Sequence, residues 1–180
     1  MVNSWDGALV DRCRRGDRQA IEKLIREYEK PVYNAAYRIL GNPEDAADAT
    51  QSVFLKAFEN LDRYDANYKF FSWIYRIAVN ESINQFKRNR KLEPLEDDSV
   101  ADTSGPDSTV ESGDLAHWIQ DGLMALTHDY RTVVVLRHFS DLSYREIGDV
   151  LDIPEKTVKS RLYSARQSMK ERLLANGIHL

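Results

Sequence analysis

Aromatic side chains and cations crowd into one segment of the chain. Six rings fall between positions 64 and 75, namely Tyr64, Tyr68, Phe70, Phe71, Trp73 and Tyr75. A basic cluster follows them, made of Lys87, Arg88, Arg90 and Lys91. Aromatic faces stack on unpaired bases, at about 1–3 kcal/mol per base, and cations bind the neighbouring phosphates. Any single ring is also a candidate for the hydrophobic core, but the set as a whole predicts binding of single-stranded nucleic acid.

A second nucleic-acid signal lies further along the chain. Ser143 and Glu146 have the spacing of a capping box, in which each side chain accepts from a backbone amide at the start of a helix. This helix is expected to end near Asp152, and Pro154 suits the first turn of the next helix. That next helix combines an apolar stripe with a polar and basic outer face, which is typical of a helix-turn-helix. An ordinary helical hairpin with a solvated face is the alternative interpretation.

Signals for the start and end of helices organise the N-terminal half. Asp17 is a predicted N-cap, and Pro31 is expected to kink or interrupt the helix that follows. Gly41 is predicted to end that helix in the left-handed conformation. Residues 42–45, NPED, combine a cap, a first-turn proline and first-turn acids, and so predict a new helix that runs to about Leu61.

The remaining segments also favour helices. After a loop, Ser72 is predicted to cap a helix that continues to about Asn89. Residues 133–136, VVVL, are β-prone alone, but they lie within a helical apolar pattern and are interpreted as buried helix. The sequence has no alternating strand pattern, so the predicted fold class is all-α.

No arrangement of residues predicts catalysis. The four histidines lack metal-ligand spacing, and no nucleophile or metalloprotease motif occurs. Cys13 is the single cysteine, which excludes an internal disulfide, and its apolar neighbours predict a buried thiol in a helix. We therefore expect no enzymatic activity, no catalytic residues, no metal and no cofactor.

The net charge of −4 is unevenly distributed along the chain. Residues 1–91 carry +3, residues 92–114 carry −8 and residues 115–180 carry +1. The acidic segment is rich in serine, threonine, proline and glycine, which predicts a flexible linker over 93–114 between two small helical domains, 1–92 and 115–180. Because phosphate neutralisation dominates DNA affinity, two weakly basic domains predict modest unaided binding.

Hydropathy predicts no membrane-spanning helix. No apolar run approaches the roughly 20 residues of a spanning helix. The first residues lack a signal-peptide hydrophobic region, so a cytoplasmic location is expected.

Four motifs, in order, resemble those of the extracytoplasmic-function sigma factors of the sigma-70 family. Residues 45–54, DAADATQSVF, resemble the acidic core-binding motif of that family. Residues 71–80, FSWIYRIAVN, are similar to the segment that melts and recognises the −10 element. Residues 141–147, DLSYREI, and 157–162, TVKSRL, resemble the two helices that recognise the −35 element. The resemblance implies that 1–92 is sigma region 2 and that 115–180 is sigma region 4, a helix-turn-helix domain.

The resemblance also implies partners and contact residues. The chain would bind the β′ clamp helices and the β subunit of core RNA polymerase, and the residues facing the polymerase would be Asp45, Asp48, Gln51 and Phe54. The residues for the −10 element, with Tyr64 and Asn80 lining a pocket for a flipped base, would be Tyr64, Asn67, Tyr68, Lys69, Phe70, Trp73, Arg76, Asn80, Lys87, Arg88 and Arg90. The residues for the −35 element would be Arg137, Arg145, Lys156, Thr157, Lys159, Ser160, Arg161 and Tyr163.

The family pattern further implies how the free protein behaves. The linker would pass toward the RNA exit path, where its charge resembles that of nascent RNA. Free of polymerase, the chain would be a monomer whose two domains pack together and mask their DNA faces, and an anti-sigma factor would hold them so.

Two positions depart from the family pattern. Ser52 stands where the core-binding motif commonly has glutamate, which weakens the expected contact with β′, and phosphorylation of Thr50 or Ser52 would restore the charge. Ser164 stands where some members have a basic side chain, so the −35 sequence cannot be transferred from relatives.

Two other functions remain open. One is a helix-turn-helix regulator that binds duplex DNA as a dimer without polymerase. The other is an interaction module that keeps the fold without promoter activity.

Overall fold

The computed structural model describes residues 4–92 and 112–175, and both stretches are built from α-helices. In chain order the helices are α1 (Ser4–Arg14), α2 (Arg18–Leu40), α3 (Pro43–Glu59), α4 (Phe70–Leu92), α5 (Ser112–Met124), α6 (His128–His138), α7 (Tyr144–Leu151) and α8 (Glu155–Ala175). A 3-10 turn, Leu61–Arg63, lies between α3 and α4. The described stretches contain no strand, which confirms the all-α prediction.

The predicted caps of the first domain are confirmed. Asp17 Oδ1 accepts from the amides of Gln19 and Ala20 at 3.0 and 3.2 Å. Gly41 ends α2 with a φ of 78°, a left-handed conformation that glycine adopts without strain. Asn42 caps α3, with Pro43 in the first turn. The break between α2 and α3 is therefore specified locally.

Two expected helix boundaries, an interruption of α2 at Pro31 and a cap of α4 at Ser72, do not occur. Pro31 does not interrupt α2, which is one continuous helix; the carbonyl that loses a donor belongs to Glu27, an exposed residue that water can reach. Ser72 does not cap α4, because the helix begins two residues earlier at Phe70. The Phe70 ring packs 5.1 Å from that of Tyr28, so tertiary packing rather than a side-chain cap fixes this helix start.

The two helical domains pack against each other. In the first domain α3 and α4 both pack on α2, and in the second α8 packs across α6 and α7. Between the domains, α2 contacts α5 and α6, and α4 contacts α7. Most of the buried apolar side chains of both domains consequently form one continuous hydrophobic cluster, and Ala36, Leu40, Ala46 and Ala49 form a smaller one between α2 and α3. The predicted linker lies outside the described residues up to position 111, and α5 begins at Ser112.

Candidate polymerase-binding and nucleic-acid-binding surfaces

One face of α3 presents an acidic, amide and apolar surface to solvent. Asp48 and Gln51 are exposed, as predicted for a polymerase contact, and Leu55 follows on the same face with 65% of its surface exposed. Sequence analysis did not single out Leu55, although its spacing from Asp48 and Gln51 was a usable signal. Isolated exposed leucines need no explanation, but this one continues the stripe formed by the acidic motif.

The other two residues predicted to face polymerase point inward. Asp45 is half-buried and accepts through Oδ1 from Gln85 Nε2 on α4 at 2.8 Å. Phe54 is 8% exposed, and its ring lies 6.3 Å from that of Phe58. In this conformation these two side chains hold α3 in place, whereas Asp48 and Gln51 remain available to a partner.

The two hydroxyls of the acidic motif differ in accessibility. Thr50 is 6% exposed and donates its hydroxyl to the carbonyl of Ala46 at 2.7 Å. Ser52 is half-exposed at the edge of the α3 face. Phosphorylation at Thr50 is therefore inconsistent with this packing. Of the two hydroxyls, only that of Ser52 is accessible for the predicted phosphorylation.

The aromatic segment divides into core rings and surface rings. Tyr64 and Phe70 are 4% and 0% exposed, with ring centroids 5.3 Å apart, and the Tyr64 hydroxyl donates to the carbonyl of Tyr68 at 2.6 Å. Direct base contact by Tyr64 or Phe70 is thus not available here, because burial inside the loop removes their faces from solvent. Tyr68 is 62% exposed, and Asn67 and Lys69 beside it are also exposed.

A cleft of about 250 Å³ lies between α3 and α4. Its lining residues are Lys56, Asn60, Arg63, Trp73, Ile77, Asn80 and Glu81. Trp73 provides an aromatic wall, Asn80 an amide, and Lys56 and Arg63 positive charge. This combination suits an unstacked base and its phosphate. Tyr64, which was predicted to line the base pocket with Asn80, does not line this cleft.

The cleft contains residues that sequence analysis missed. Lys56 pairs with Glu81, whose side chain is only 9% exposed, so the ammonium group is held at the cleft wall. Arg63 lies seven positions from Lys56, but this spacing crosses the end of α3, and the sequence alone did not connect the two cations.

The basic cluster after the cleft lies on the last turns of α4, which continues to Leu92. Arg76 and Arg88 are exposed. The side chains of Lys87, Arg90 and Lys91 lie outside the described residues.

The helix-turn-helix forms as predicted. The Ser143 amide donates to Glu146 Oε2 at 2.8 Å, and the Glu146 amide donates to Ser143 Oγ at 3.2 Å, which completes the capping box. Asp152 ends α7 with a φ of 55°. The turn is so tight that a Cβ on Gly148 would lie 2.8 Å from the carbonyl of Ile153, so this position requires glycine. Sequence analysis did not identify that requirement.

The predicted −35 residues fall into two groups. Exposed side chains on or beside the first turns of α8 form the first group, namely Lys156, Lys159, Ser160 and Tyr163. Thr157 is half-buried behind them, and Arg145 is exposed on α7. This group forms the polar face that a major groove could receive.

The second group is held by the protein itself. Arg161 pairs with Asp129 at 2.6 Å, and Arg137 donates to the carbonyl of Leu142 at 2.9 Å while lying 5.3 Å from the ring of Tyr144. Lys159 also has a partner within the protein, because it pairs with Glu155 at 2.7 Å. This ion pair raises the pKa of the Lys159 amine.

The expected masking of the DNA faces is limited to one predicted −10 residue, because Lys69 pairs with Glu146 of the second domain at 3.0 Å. Although the domains pack together, Tyr68, Asn80, Lys156 and Tyr163 all remain exposed, since the packed surfaces lie on other sides of α4 and α7. In the described stretches, no three histidine, cysteine or acidic residues converge to hold a metal ion. None of the described helices combines the length and the apolar character that a membrane span requires.

A helical protein with a cation-lined aromatic cleft and a helix-turn-helix belongs to the DNA-binding transcription proteins. Family models agree with both parts: sigma-70 region 2 matches residues 24–92, and sigma-70 region 4 matches residues 116–169. The chain is 35% identical to the ECF RNA polymerase sigma factor SigW of Bacillus subtilis, over 91% of this chain and 94% of that protein. It is 28% identical to the RNA polymerase sigma-H factor of Pseudomonas aeruginosa, over 96% of each.

Solved structures agree in fold. CnrH, in complex with the cytosolic domain of CnrY, superposes with a TM-score of 0.71 at 24% identity, over 93% of this chain and 96% of that one. The sigma factor RpoE of Bartonella quintana, in complex with the anti-sigma factor NepR, superposes with a TM-score of 0.68 at 22% identity, over 84% of this chain and 95% of that one. The chain belongs to the sigma-70 family, as an RNA polymerase sigma factor of the extracytoplasmic-function group.

Proposed function

We propose that this sigma factor docks on core RNA polymerase through the exposed face of α3 and directs it to promoters with −10 and −35 elements. The observation that carries the proposal is the combination, in one chain, of a free acidic α3 face, a cleft fit for an unpaired base and an exposed helix-turn-helix. A regulator that binds only duplex DNA needs neither the acidic α3 face nor the cleft for an unpaired base.

Docking rests on Asp48 and Gln51, with Leu55 adding apolar area to the same face. The partner surfaces are the clamp helices of β′, with further contacts to the β subunit. Charge pairs at such a surface set the register and the association rate more than the affinity. The apolar contact of Leu55 would supply part of the remaining free energy.

Promoter opening rests on the cleft between α3 and α4. A non-template base that leaves the duplex would stack on Trp73 and hydrogen-bond with Asn80, while Lys56 and Arg63 bind the phosphates beside it. Tyr68 and Asn67 on the adjoining loop would contact neighbouring nucleotides, and the buried Tyr64 and Phe70 would fix the shape of that loop.

Recognition of the −35 element rests on Lys156, Lys159, Ser160 and Tyr163, with Arg145 on a flanking phosphate. The weak positive charge of each domain limits unaided DNA affinity, so polymerase supplies most of the promoter affinity. The acidic segment 93–114 would pass toward the RNA exit path.

The protein acts in the cytoplasm, as a monomer when free, and performs no catalysis of its own. An anti-sigma factor is a fitting further partner, because the Bartonella RpoE, which has the same fold, was solved in complex with the anti-sigma factor NepR.

Fluorescence anisotropy on a labelled promoter fragment, with and without core polymerase, tests this proposal. We expect tight binding only when polymerase is present, with slower association and weaker binding in Asp48→Ala. Glu22→Ala, at an exposed position of α2, serves as the control and should bind as the wild type does. Tight polymerase-independent binding by a dimer would instead establish the helix-turn-helix regulator.

A further inference from the structure

The N-terminal helix α1 reaches the segment that leads into the cleft between α3 and α4. It contacts the 3-10 turn Leu61–Arg63, which joins α3 to the aromatic loop. The last residue of α1, Arg14, makes the polar part of this contact from 47 positions before Leu61. Arg14 lies outside residues 24–92, the part of the chain that the region 2 model matches.

The guanidinium group of Arg14 holds both ends of the 3-10 turn. Its Nε and Nη2 atoms donate to the carbonyl of Leu61, the first residue of the turn, at 3.2 and 3.0 Å. Nη2 also donates to the carbonyl of Tyr64, the residue that ends the turn, at 2.6 Å. A rigid, planar donor group shared by two carbonyls restricts both their separation and their direction.

The 3-10 turn depends on such outside support. Within it, the Arg63 amide donates to the carbonyl of Asn60 at 2.9 Å, and the Tyr64 amide donates to the carbonyl of Leu61 at 3.1 Å. Hydrogen bonds in a 3-10 turn have poorer geometry than those in an α-helix. The side chain of Asn60, at the start of the turn, does not cap it. We therefore expect the bonds from Arg14 to contribute much of the order of this turn.

The turn carries one of the cations that line the cleft. Arg63 is its last residue, and its side chain lines the cleft together with Asn60. The other cation, Lys56, is held separately by its ion pair with Glu81 on α4. The direction of Arg63 therefore follows from the backbone of the turn, which Arg14 holds at both ends.

Arg14 is poorly suited to bind DNA itself. Its side chain is only 27% exposed. Nη1 donates to Asp11 Oδ1 at 3.1 Å, so all three nitrogens of the guanidinium group have acceptors within the protein. Asp62 Oδ1 also lies 3.9 Å from Nε. Two neighbouring carboxylates and these engaged donors leave little of the charge of Arg14 for a phosphate.

Helix α1 is anchored to the domain independently of Arg14. Leu9, Val10 and Cys13 belong to the main hydrophobic cluster and are 4%, 1% and 5% exposed. Burial of these apolar side chains stabilises the packing of α1 on its neighbours. Removal of the Arg14 side chain should therefore release the turn while α1 keeps its place.

We propose that Arg14 is a positioning residue for the −10 site, which holds the 3-10 turn so that Arg63 faces the phosphate beside the unpaired base. Arg14 acts through Arg63 and contacts neither the base nor the phosphate. The inference rests on the proposed binding of the melted strand in the cleft between α3 and α4.

Hydrogen exchange in the free full-length protein tests the hold on the turn. In Arg14→Ala, we expect the amides of Arg63 and Tyr64 to exchange about two- to ten-fold faster than in the wild type, because the carbonyls at both ends of the turn lose their donor. Arg15→Ala removes the same charge from the next, exposed position and should leave these amides unchanged. Urea denaturation checks that both variants are folded.

A double-mutant cycle tests whether Arg14 acts through Arg63. The probe is a fluorescein-labelled single strand, the non-template −10 segment of a promoter mapped by run-off transcription, and binding is followed by anisotropy. We expect Arg14→Ala and Arg63→Ala each to weaken binding about two- to ten-fold. The double variant should bind about as well as Arg63→Ala, because the turn then has no cation left to position. Both single variants should also show a shallower dependence of affinity on salt.

Arg14→Lys separates geometry from charge. Lysine keeps the positive charge but lacks the planar fork that bonds two carbonyls at once. We expect the affinity of Arg14→Lys for the strand to lie nearer to that of Arg14→Ala than to that of the wild type. Arg15→Ala serves again as the control and should bind as the wild type does.

Four results would overturn the role of Arg14 alone. They are unchanged exchange of the turn in Arg14→Ala, a full further loss of affinity when Arg14→Ala is added to Arg63→Ala, wild-type binding by Arg14→Lys, and equal losses in Arg14→Ala and Arg15→Ala. A different result would overturn the proposed base site and the role of Arg14 together, namely normal strand binding by both Arg63→Ala and Asn80→Ala.

Discussion

Gln85 on α4 donates a hydrogen bond from Nε2 to Oδ1 of Asp45 on α3 at 2.8 Å. The two residues are 40 positions apart, and the bond joins the helix expected to dock on polymerase to the helix expected to bind the melted strand. Asp45 also lies in the first turn of α3, where the helix dipole favours an acid. The first acid of the core-binding motif therefore contributes to stability, and the second is the one presented to a partner.

Replacing these two acids separately should give different results. Asp45→Ala leaves the buried Gln85 amide without this acceptor and should lower the free energy of unfolding by about 1–3 kcal/mol. Asp48→Ala should leave stability nearly unchanged and weaken binding to core polymerase. Urea denaturation and polymerase titration separate the two effects, and equal losses of affinity with no change in stability would contradict this assignment.

Charge restored at Ser52 should strengthen polymerase binding. Ser52→Glu adds a carboxylate at the edge of the α3 face, whereas Ser52→Gln adds the same length without charge and serves as its control. We expect tighter binding for the glutamate only, with an effect that weakens as salt rises. Thr50→Glu should instead destabilise the domain, because Thr50 is 6% exposed and its hydroxyl is already bonded to Ala46. An unchanged polymerase affinity in Ser52→Glu would remove the basis for phosphorylation at this site.

Substitutions at an exposed cleft residue and at a buried ring should affect strand binding and protein stability separately. Asn80→Ala is expected to weaken binding of a single-stranded −10 oligonucleotide by about 1–3 kcal/mol while the protein stays folded. Phe70→Ala should cost about 3–5 kcal/mol of stability, since Phe70 is 0% exposed. Oligonucleotide anisotropy, paired with urea denaturation, measures both. Normal strand binding by Asn80→Ala would show that the cleft is not the base site.

The capping box predicts that the stability of the folded protein depends on pH. Burial alone would raise the pKa of Glu146, but hydrogen bonds from Ser143 and Lys69 hold it below its ordinary value of 4.5. A carboxylate with a lowered pKa stabilises the folded state above its ordinary pKa, and that contribution is lost as the pH falls through and below this value. The wild type should therefore lose more stability below about pH 4.5 than Glu146→Gln does. Glu171→Gln, at an exposed position of α8, should follow the wild-type curve, and identical curves for all three proteins would contradict the prediction.

Local signals predicted much of the fold. Asp17, Gly41, Asn42 and Ser143 fix helix ends through bonds to residues a few positions away, so their roles are visible in the sequence. The prediction of a cap at Ser72 was wrong because the start of α4 is not set locally. It is set by packing of Phe70 on Tyr28, which is far away in sequence.

The candidate sites were less predictable. Composition identified the aromatic cluster but could not tell which rings face the core, because Tyr64 and Tyr68 differ only in what packs over them. Likewise Lys56 and Arg63 join the cleft through the angle between α3 and α4, and Arg131 is buried by two domains at once. Such placements depend on tertiary packing that no local pattern encodes.

Run-off transcription with purified core polymerase and genomic promoter fragments tests the central claim most directly. We expect discrete transcripts that depend on this protein, that are lost in Asn80→Ala and Asp48→Ala, and that persist in the Leu174→Ala control. Absence of any dependent transcript, despite tight binding to core polymerase, would contradict the account of a working sigma factor.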